Sequence, residues 1–337
     1  MNNLYVHFPF CRRKCTYCAL YSRAGTDEAT RSDYVKTIAA QLRELKTRAT
    51  NGFSTVYFGG GTPALCNLVP VFEELELADD YEFTVELHPL DVCDELLATL
   101  KAGGVNRISV GVEALDDATL AHMRRGYTLD ETRRALEKTL GYFENVGIDL
   151  IVGYPNGKWR IEDGKWEGVK HCSVYALQNE RGLKDVPDDN EVMDEIRLAS
   201  EALSKAGLKR YEISNYAVPG YECRHNLAVW RGEDYFGIGE GACGREGKVR
   251  TRGVRGTGAG YQVEYRREEV SEEFDAKERR LFRLRTREGI DVSGFPVWRE
   301  QLTRMCGEGL VEQTGADGYR LTARGMEVCD SILLELV

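Results

Sequence analysis

Between residues 4 and 216, short β-branched or aromatic runs alternate with stretches of helical periodicity, and that alternation leaves few folds open. Strands separated by helices pair in parallel through crossovers, which places the chain in the α/β class. The strand runs are 4–8, 55–58, 82–87, 107–112, 148–152, 173–177 and 210–214. Helical spacing covers 28–48, 67–77, 91–102, 130–145, 161–169 and 190–206. The last is the clearest, since Val192, Ile196, Ala199, Leu203 and Ala206 fall on one stripe. Six or seven such units predict a closed or partly open barrel, whose functional residues sit at the C-terminal ends of the strands. The unusual residues lie there. A cysteine loop follows the first strand and Gly59-Gly60-Gly61-Thr62-Pro63 the second, Glu86 to Pro89 end the third, Glu113 ends the fourth, and Asp149 lies in the fifth.

Beyond residue 216 the pattern changes. Glycines and aromatics crowd 217–262, which reads as ordered loop with little regular structure. Helices at 277–285 and 297–308, a hairpin around the 315–318 turn and a final helix over 323–335 predict a small winged-helix-like α+β module. The expected division is a barrel over 1–216, an extension over 217–270 and a C-terminal module over 271–337.

Cys11, Cys15 and Cys18 form C-x3-C-x2-C directly after the first strand. A cube-type [4Fe–4S] cluster takes four cysteines, so a three-cysteine loop leaves one iron open to a ligand that is not protein. Zinc is the rival reading, but it wants four tetrahedral ligands, and no further C-x2-C or H-x3-H pair occurs. Ten cysteines in 337 residues fall well short of a disulfide scaffold. Cys66, Cys93, Cys172, Cys243, Cys306 and Cys329 read as small buried hydrophobes. Trp159, Trp166 and Trp298 read as core or interface fillers, and His7 and His88 face the strand ends without an assigned role. Arg12, Arg13 and Lys14, inside the loop, are either a solvated charge run or compensation for an anionic cluster. The Gly-rich turn lacks the Gly-Lys-Ser/Thr of a phosphate loop and reads as a tight corner or a cradle for a ligand on the open iron.

A net charge of −10 argues against nucleic acid as the main partner. No apolar run reaches the ~20 residues of a membrane span. Met1 lies only ten residues before Cys11, without a signal peptide, so a reducing cytoplasm is expected.

The cysteine loop, GGGTP and Glu86 together resemble the radical S-adenosylmethionine (SAM) superfamily, in which three cysteines hold the cluster and SAM chelates the fourth iron. The stretches YVHFPFC, VYFGGGTP, GVNRISVGVEALDD, IDLIVGYP, YEISNYAVPGYECRHNLAVWRGEDYFGIGEGA and YRLTARG resemble, in order, the oxygen-independent coproporphyrinogen III oxidase-like family, nearest its haem-chaperone branch. The resemblance implies a partial (β/α)6-type barrel. It makes Cys11, Cys15 and Cys18 cluster ligands and lines a SAM pocket with Tyr5, Gly60, Gly61, Thr62, Glu86, Glu113, Arg125, Asp149 and Ala176. The family has Gln where this chain has Glu113, which changes charge and donor inventory.

The oxidase carries a further cysteine two residues after the third ligand and a longer N-terminal arm. Here the position is Leu20, which favours the chaperone branch, although that branch reads Cys-Asp-Phe where Cys18-Ala19-Leu20 stands. The connection after Tyr154-Pro155 is also shortened. The chaperone motif His-Asn-x-x-Tyr-Trp falls on His225 to Trp230 with Val229 in the Tyr position. His225 is thus either an axial haem ligand, flanked by Trp230 and Tyr235 and rivalled by Cys223, or a structural histidine holding a loop.

Three functions follow from the resemblance. The first is a haem-binding protein that passes haem to a haem-requiring partner such as a respiratory enzyme, with electrons from a reductant such as flavodoxin or ferredoxin and any membrane association only through the partner. The second is decarboxylation of coproporphyrinogen III, against which the missing cysteine and arm count. The third is SAM-dependent hydrogen abstraction from an unrelated substrate.

Overall fold

A computed structural model describes residues 2–49, 51–155, 157, 166–179 and 181–337. Its main sheet has nine strands in the order Phe236–Ile238, Asn3–Phe8, Phe53–Gly60, Leu77–Leu87, Arg107–Glu113, Asn145–Val152, His171–Ala176, Asn215–Ala217 and Lys209–Arg210. From Asn3–Phe8 to His171–Ala176 six strands run parallel in chain order. The sheet ends in two edges, so the barrel is partial.

Strict alternation within these strands builds two different walls. Leu4, Val6, Phe8, Val56, Phe58, Val85, Ile108, Val110, Ile148 and Val174 join one apolar cluster with Tyr34, Val35, Ile38 and Leu42 of the helix Glu28–Leu45. Each such side chain contributes about 1.5–3 kcal/mol by leaving water. The alternate residues, Asn3, His7, Thr55, Glu82, Thr84, Arg107, Ser109, His171 and Ser173, are buried and polar. They line the lumen and must find hydrogen bonds there. Side-chain caps fix the helix starts: Asp27 accepts from Thr30 N, and Thr128/Glu131 and Asp188/Glu191 form capping boxes.

Several expectations need correction. The helix expected over 67–77 is only Val69–Phe72, because Leu77 pairs with Phe53 and draws the chain back into the sheet. The strand expected over 210–214 is a reversal: Arg210 donates to Ile213 O at 3.0 Å, the Glu212 carboxylate accepts from Ser214 N at 3.3 Å, and Asn215–Ala217 returns antiparallel. Most of the expected helix 161–169, and Trp159, lie outside the described residues; Glu167 and Gly168 form a turn.

The segment 217–262 is not loop. It contains the helix Arg224–Trp230, the strand Phe236–Ile238 that pairs with Asn3–Phe8, and two strands of a separate antiparallel sheet, Cys243–Glu246 and Val249–Arg255. Glycines had masked these short strands. A boundary at 216 therefore cuts the strand Asn215–Ala217, and the extension completes the barrel sheet.

The C-terminal module has its own core, including Leu284, Trp298, Leu302, Tyr319, Met326 and Ile332. Its helices Glu272–Leu284 and Pro296–Gly307 and the hairpin Val311–Gln313/Gly318–Leu321 match the winged-helix-like expectation. The last helix breaks at Val328 into Ala323–Glu327 and Cys329–Leu336.

Candidate functional site

A cavity of about 710 Å³ opens at the C-terminal ends of the parallel strands. Cys11, Cys15 and Cys18 line it together with Gly60, Gly61, Thr62, Glu86, Glu113, Arg125, Asp149 and Ala176. Eleven of the thirteen residues expected in the site thus converge on one space.

The Gly-rich turn holds the cysteine loop by its backbone. Gly61 N donates to Phe8 O and Thr62 N to Phe10 O, each at 2.7 Å. A Cβ on Gly61 would stand 2.5 Å from Phe10 O; one on Gly60, at φ +106°, would stand 2.3 Å from the His7 ring; and one on Gly59 would stand 2.9 Å from the Glu86 carboxylate. All three glycines are crowded by protein neighbours, as the tight-corner reading expects, and Gly60 and Gly61 also line the cavity.

The loop is braced from within as well. Lys14 donates to Leu20 O and to Ser22 Oγ, Arg12 pairs with Asp91, and Arg13 stays exposed beside Gly126. All three basic residues line the cavity, Arg12 and Lys14 with protein partners of their own. Burial pushes the Cys11 and Cys18 thiols up, while Lys14 pulls both down. Among the described residues no group of three His, Cys, Asp or Glu side chains is set to hold a single metal ion. A cube cluster does not ask for that spacing, because each thiolate binds a different iron. Donor chemistry and an open cavity beside the three thiols fit a cluster with one exchangeable position.

The same cavity is lined by the carboxylates of Glu86, Glu113 and Asp149 and by the Arg125 guanidinium. Glu86 Oε1 accepts from Tyr57 OH at 2.8 Å and Oε2 from Gly60 N at 3.1 Å. Burial, then the charge of Asp149, pushes the Glu86 carboxyl up to about 7. Asp149 is also raised by burial and accepts from Ser109 OH at 2.9 Å. Glu113 occupies a bulge at φ 70°, a left-handed conformation costing an L-residue roughly 1–2 kcal/mol. Its carboxylate meets Arg125 Nη2 at 3.3 Å. Arg125 in turn donates to Gly111 O at 3.1 Å, Tyr127 OH at 2.8 Å and Cys15 Sγ at 3.5 Å. The charge of Glu113 is thus countered by a neighbour that also touches the cysteine loop. His88 lines the cavity too, held neutral near 3 by burial and by Arg125. Leu20, Leu90 and Tyr175 form an exposed apolar rim.

Tyr5 and His225 are elsewhere. Tyr5 OH bonds His7 Nδ1 at 2.9 Å in the lumen below the cavity. His225 is buried at the floor, with Nδ1 bonded to Thr55 OH at 2.9 Å and its ring near Tyr5, Tyr57 and Tyr235. The carboxylate of Glu82 accepts from Arg224 N at 3.0 Å and His225 N at 3.1 Å, seating the helix Arg224–Trp230 in the floor. Cys223 is buried against Glu82 and its thiol is pushed up to about 12 by burial, so it is no ready thiolate. Trp230 packs on Phe282 rather than into the lumen. Cys93 and Cys243 are exposed and Cys306 half-buried, against the expectation of buried hydrophobes.

Sequence reasoning passed over Tyr57, Glu82, Arg107, Ser109, Tyr127 and Glu240. Four of them sit at inward positions of strands already identified, so the alternation itself was the available signal.

Residues 5–163 match the Radical SAM superfamily. The haem chaperone HemW of Escherichia coli strain K12 is 31% identical over 98% of this chain and 97% of its own length. The chain belongs to the HemW family. HemW of Lactococcus lactis is 28% identical over 98% of this chain and 96% of its own, and the bovine mitochondrial radical S-adenosyl methionine domain-containing protein 1 is 30% identical over 89% and 71%. Likeness to the HemW relatives therefore spans mouth, floor and C-terminal module alike. Among solved structures, the coproporphyrinogen III oxidase HemN of E. coli superposes with a TM-score of 0.80 at 19% identity, covering 99% of this chain and 89% of HemN. That match places the HemW-family chain in the HemN fold.

Proposed function

We propose that this chain is a haem chaperone that carries a SAM-ligated [4Fe–4S] cluster at the barrel mouth, binds haem and passes it to a haem-requiring protein. End-to-end similarity to proteins named as haem chaperones carries this reading. Cys11, Cys15 and Cys18 hold the cluster, and Glu86, Gly60, Gly61, Thr62, Glu113, Arg125, Asp149 and Ala176 shape the space beside it. The bound cluster and SAM would supply one-electron reductive chemistry, with a flavodoxin- or ferredoxin-type protein as electron source. Glu86 receives the ligand's ammonium group, Asp149 is held in place by Ser109, and Arg125 cancels the charge of Glu113. Among the described residues no helix is long and apolar enough to cross a membrane.

Haem ligation by His225 requires the helix Arg224–Trp230 to leave the floor. The buried, hydrogen-bonded ring instead supports a structural role. The test is anaerobic reconstitution with iron and sulfide, then haem titration followed by absorbance and assay of 5′-deoxyadenosine on the same sample. Stoichiometric haem uptake with little 5′-deoxyadenosine is expected; steady 5′-deoxyadenosine without haem uptake would mean a radical enzyme. His225→Ala is expected to leave the Soret band in place, and a shifted band would return His225 to the iron.

Glu86 gives this reading a pH signature. With its carboxyl pushed up to about 7, it is neutral on the acid side and anionic on the alkaline side of that pH. Binding a cationic amino group favours the ionised form, so SAM affinity should rise as pH increases through that window until the ligand's own ammonium begins to lose its proton. Glu86→Gln should bind weakly with a flat profile; calorimetric titration across the window checks both.

A further inference from the structure

Glu240 lies between the strands Phe236–Ile238 and Cys243–Glu246, in a glycine run that no part of the site above uses. Its side chain is 1% exposed. Burial alone would raise its carboxyl, but hydrogen bonds from Tyr21, Tyr261 and Arg23 outweigh burial and hold it below the usual carboxylate range. Oε1 accepts from Tyr21 OH and from the Arg23 guanidinium, and Oε2 accepts from Tyr261 OH. Glu240 N donates to Tyr34 OH at 3.2 Å, and Tyr34 OH donates to the carbonyl of His7 on the first strand.

Tyr21 and Arg23 stand just past Cys18, where the cysteine loop returns to the barrel. Tyr21 O bonds His7 Nε2 at 2.8 Å, so the same residue is gripped at both its backbone and its hydroxyl. The glycines beside Glu240 make this possible. A Cβ on Gly241, at φ +93°, would stand 2.7 Å from the Tyr21 ring, and one on Gly239, at φ +99°, would stand 2.3 Å from Tyr34 OH. Room for Tyr21 and Tyr34 to close on one carboxylate is built into the backbone.

We propose that Glu240 is a positioning residue for the three-cysteine loop, fixing residues 21–23 and through them Cys18 against the barrel. The inference rests on the assignment of the cluster to Cys11, Cys15 and Cys18, and adds the anchor that sets how tightly the loop covers it. Without Glu240 the return of the loop is still tied by backbone, through Arg23 N to Pro9 O at 2.6 Å and the pairing of Arg23–Ala24 with Phe10–Cys11, by Tyr21 O to His7 and by Lys14 to Leu20 and Ser22, but the side chains of Tyr21 and Arg23 lose their shared anchor. Water then reaches the cluster edge more freely, and solvent exposure and hydrogen bonding are what tune a cluster's potential.

The experiment compares wild-type protein with Glu240→Ala, Glu240→Gln and Tyr21→Phe after anaerobic reconstitution. It reads the rate of iron loss to a chelator, the electron paramagnetic resonance spectrum of the reduced cluster, its midpoint potential, and far-UV circular dichroism. Iron loss should accelerate roughly tenfold or more in Glu240→Ala, the usual scale for removing an outer partner of a metal site. Tyr21→Phe should move the same way by less, with a shifted spectrum and potential and an unchanged fold. Glu240→Gln, which keeps an acceptor for Tyr21 and Arg23, should recover part of the loss. Wild-type spectrum, potential and iron retention in both Glu240→Ala and Tyr21→Phe would overturn the proposal. Should Glu240→Ala fail to fold, Tyr21→Phe decides alone, since Tyr21 is 39% exposed and outside the core. Wild-type protein that takes up no iron and sulfide overturns the cluster assignment, and the inference with it.

Discussion

Cys15→Ala protein should emerge from anaerobic reconstitution with iron and sulfide at background. Each thiolate of a three-cysteine site carries a different iron, so no neighbour can substitute for the lost one. The other thiols at the mouth, Cys11 and Cys18, are already committed, and among the described residues no other cysteine lines the cavity. Cys15 also accepts from Arg125 at 3.5 Å, so its removal leaves a guanidinium facing the cavity with one contact fewer. Cys66→Ala is the control, because that thiol is buried under the sheet with its pKa pushed up to about 12 by burial. Full iron and sulfide in Cys15→Ala, or equal loss in Cys66→Ala, would sink the ligand assignment.

Glu82→Ala should be the most destabilising change in the lumen. Its carboxylate seats the helix Arg224–Trp230 through two backbone N–H groups and holds the Cys223 thiol at 3.5 Å. Arg107, 1% exposed, lies in the same compartment; its Nη1 reaches Thr84 OH at 3.3 Å and its Nε has no partner among the described residues. Removing the acid leaves two N–H groups at a helix start without their acceptor, at about 1–3 kcal/mol for each buried group left unpaired, and takes a negative charge from the surroundings of Arg107. Glu82→Gln, which keeps an acceptor oxygen but loses the charge, should cost less. Midpoints of urea unfolding separate the two, and a Glu82→Ala midpoint equal to wild type would show that the floor does not depend on this carboxylate.

The outer wall of the barrel was plain in the sequence, because Val56/Phe58 or Ile108/Val110 report burial by their own chemistry. The mouth was nearly as plain, since topology places strand ends there and Cys11 and Glu86 are conspicuous at strand ends, with Asp149 within the fifth strand. The floor was not. Glu82 and Arg107 are ordinary charged residues until the pairing of their neighbouring strands turns both into the lumen. Short strands such as Phe236–Ile238 carry too few residues for a period to register, and their stability comes from pairing with Asn3–Phe8, a partner more than two hundred residues away. His225 illustrates the limit in the other direction. A motif located it, but only packing showed which end of the barrel it occupies.

The fit around the Gly59-Gly60-Gly61 run bears on what comparison among relatives can teach. Each of the three positions is closed to a side chain by atoms of the chain itself: the Glu86 carboxylate, the His7 ring and the carbonyls of Phe8 and Phe10. Gly60 and Gly61 are therefore fixed by the seat of the cysteine loop whatever ligand lies beside it, whereas Gly59 is tied to Glu86 of the pocket itself. A change of cargo has to be sought instead at Leu20, Leu90 and Tyr175 of the rim, where a substitution meets open space.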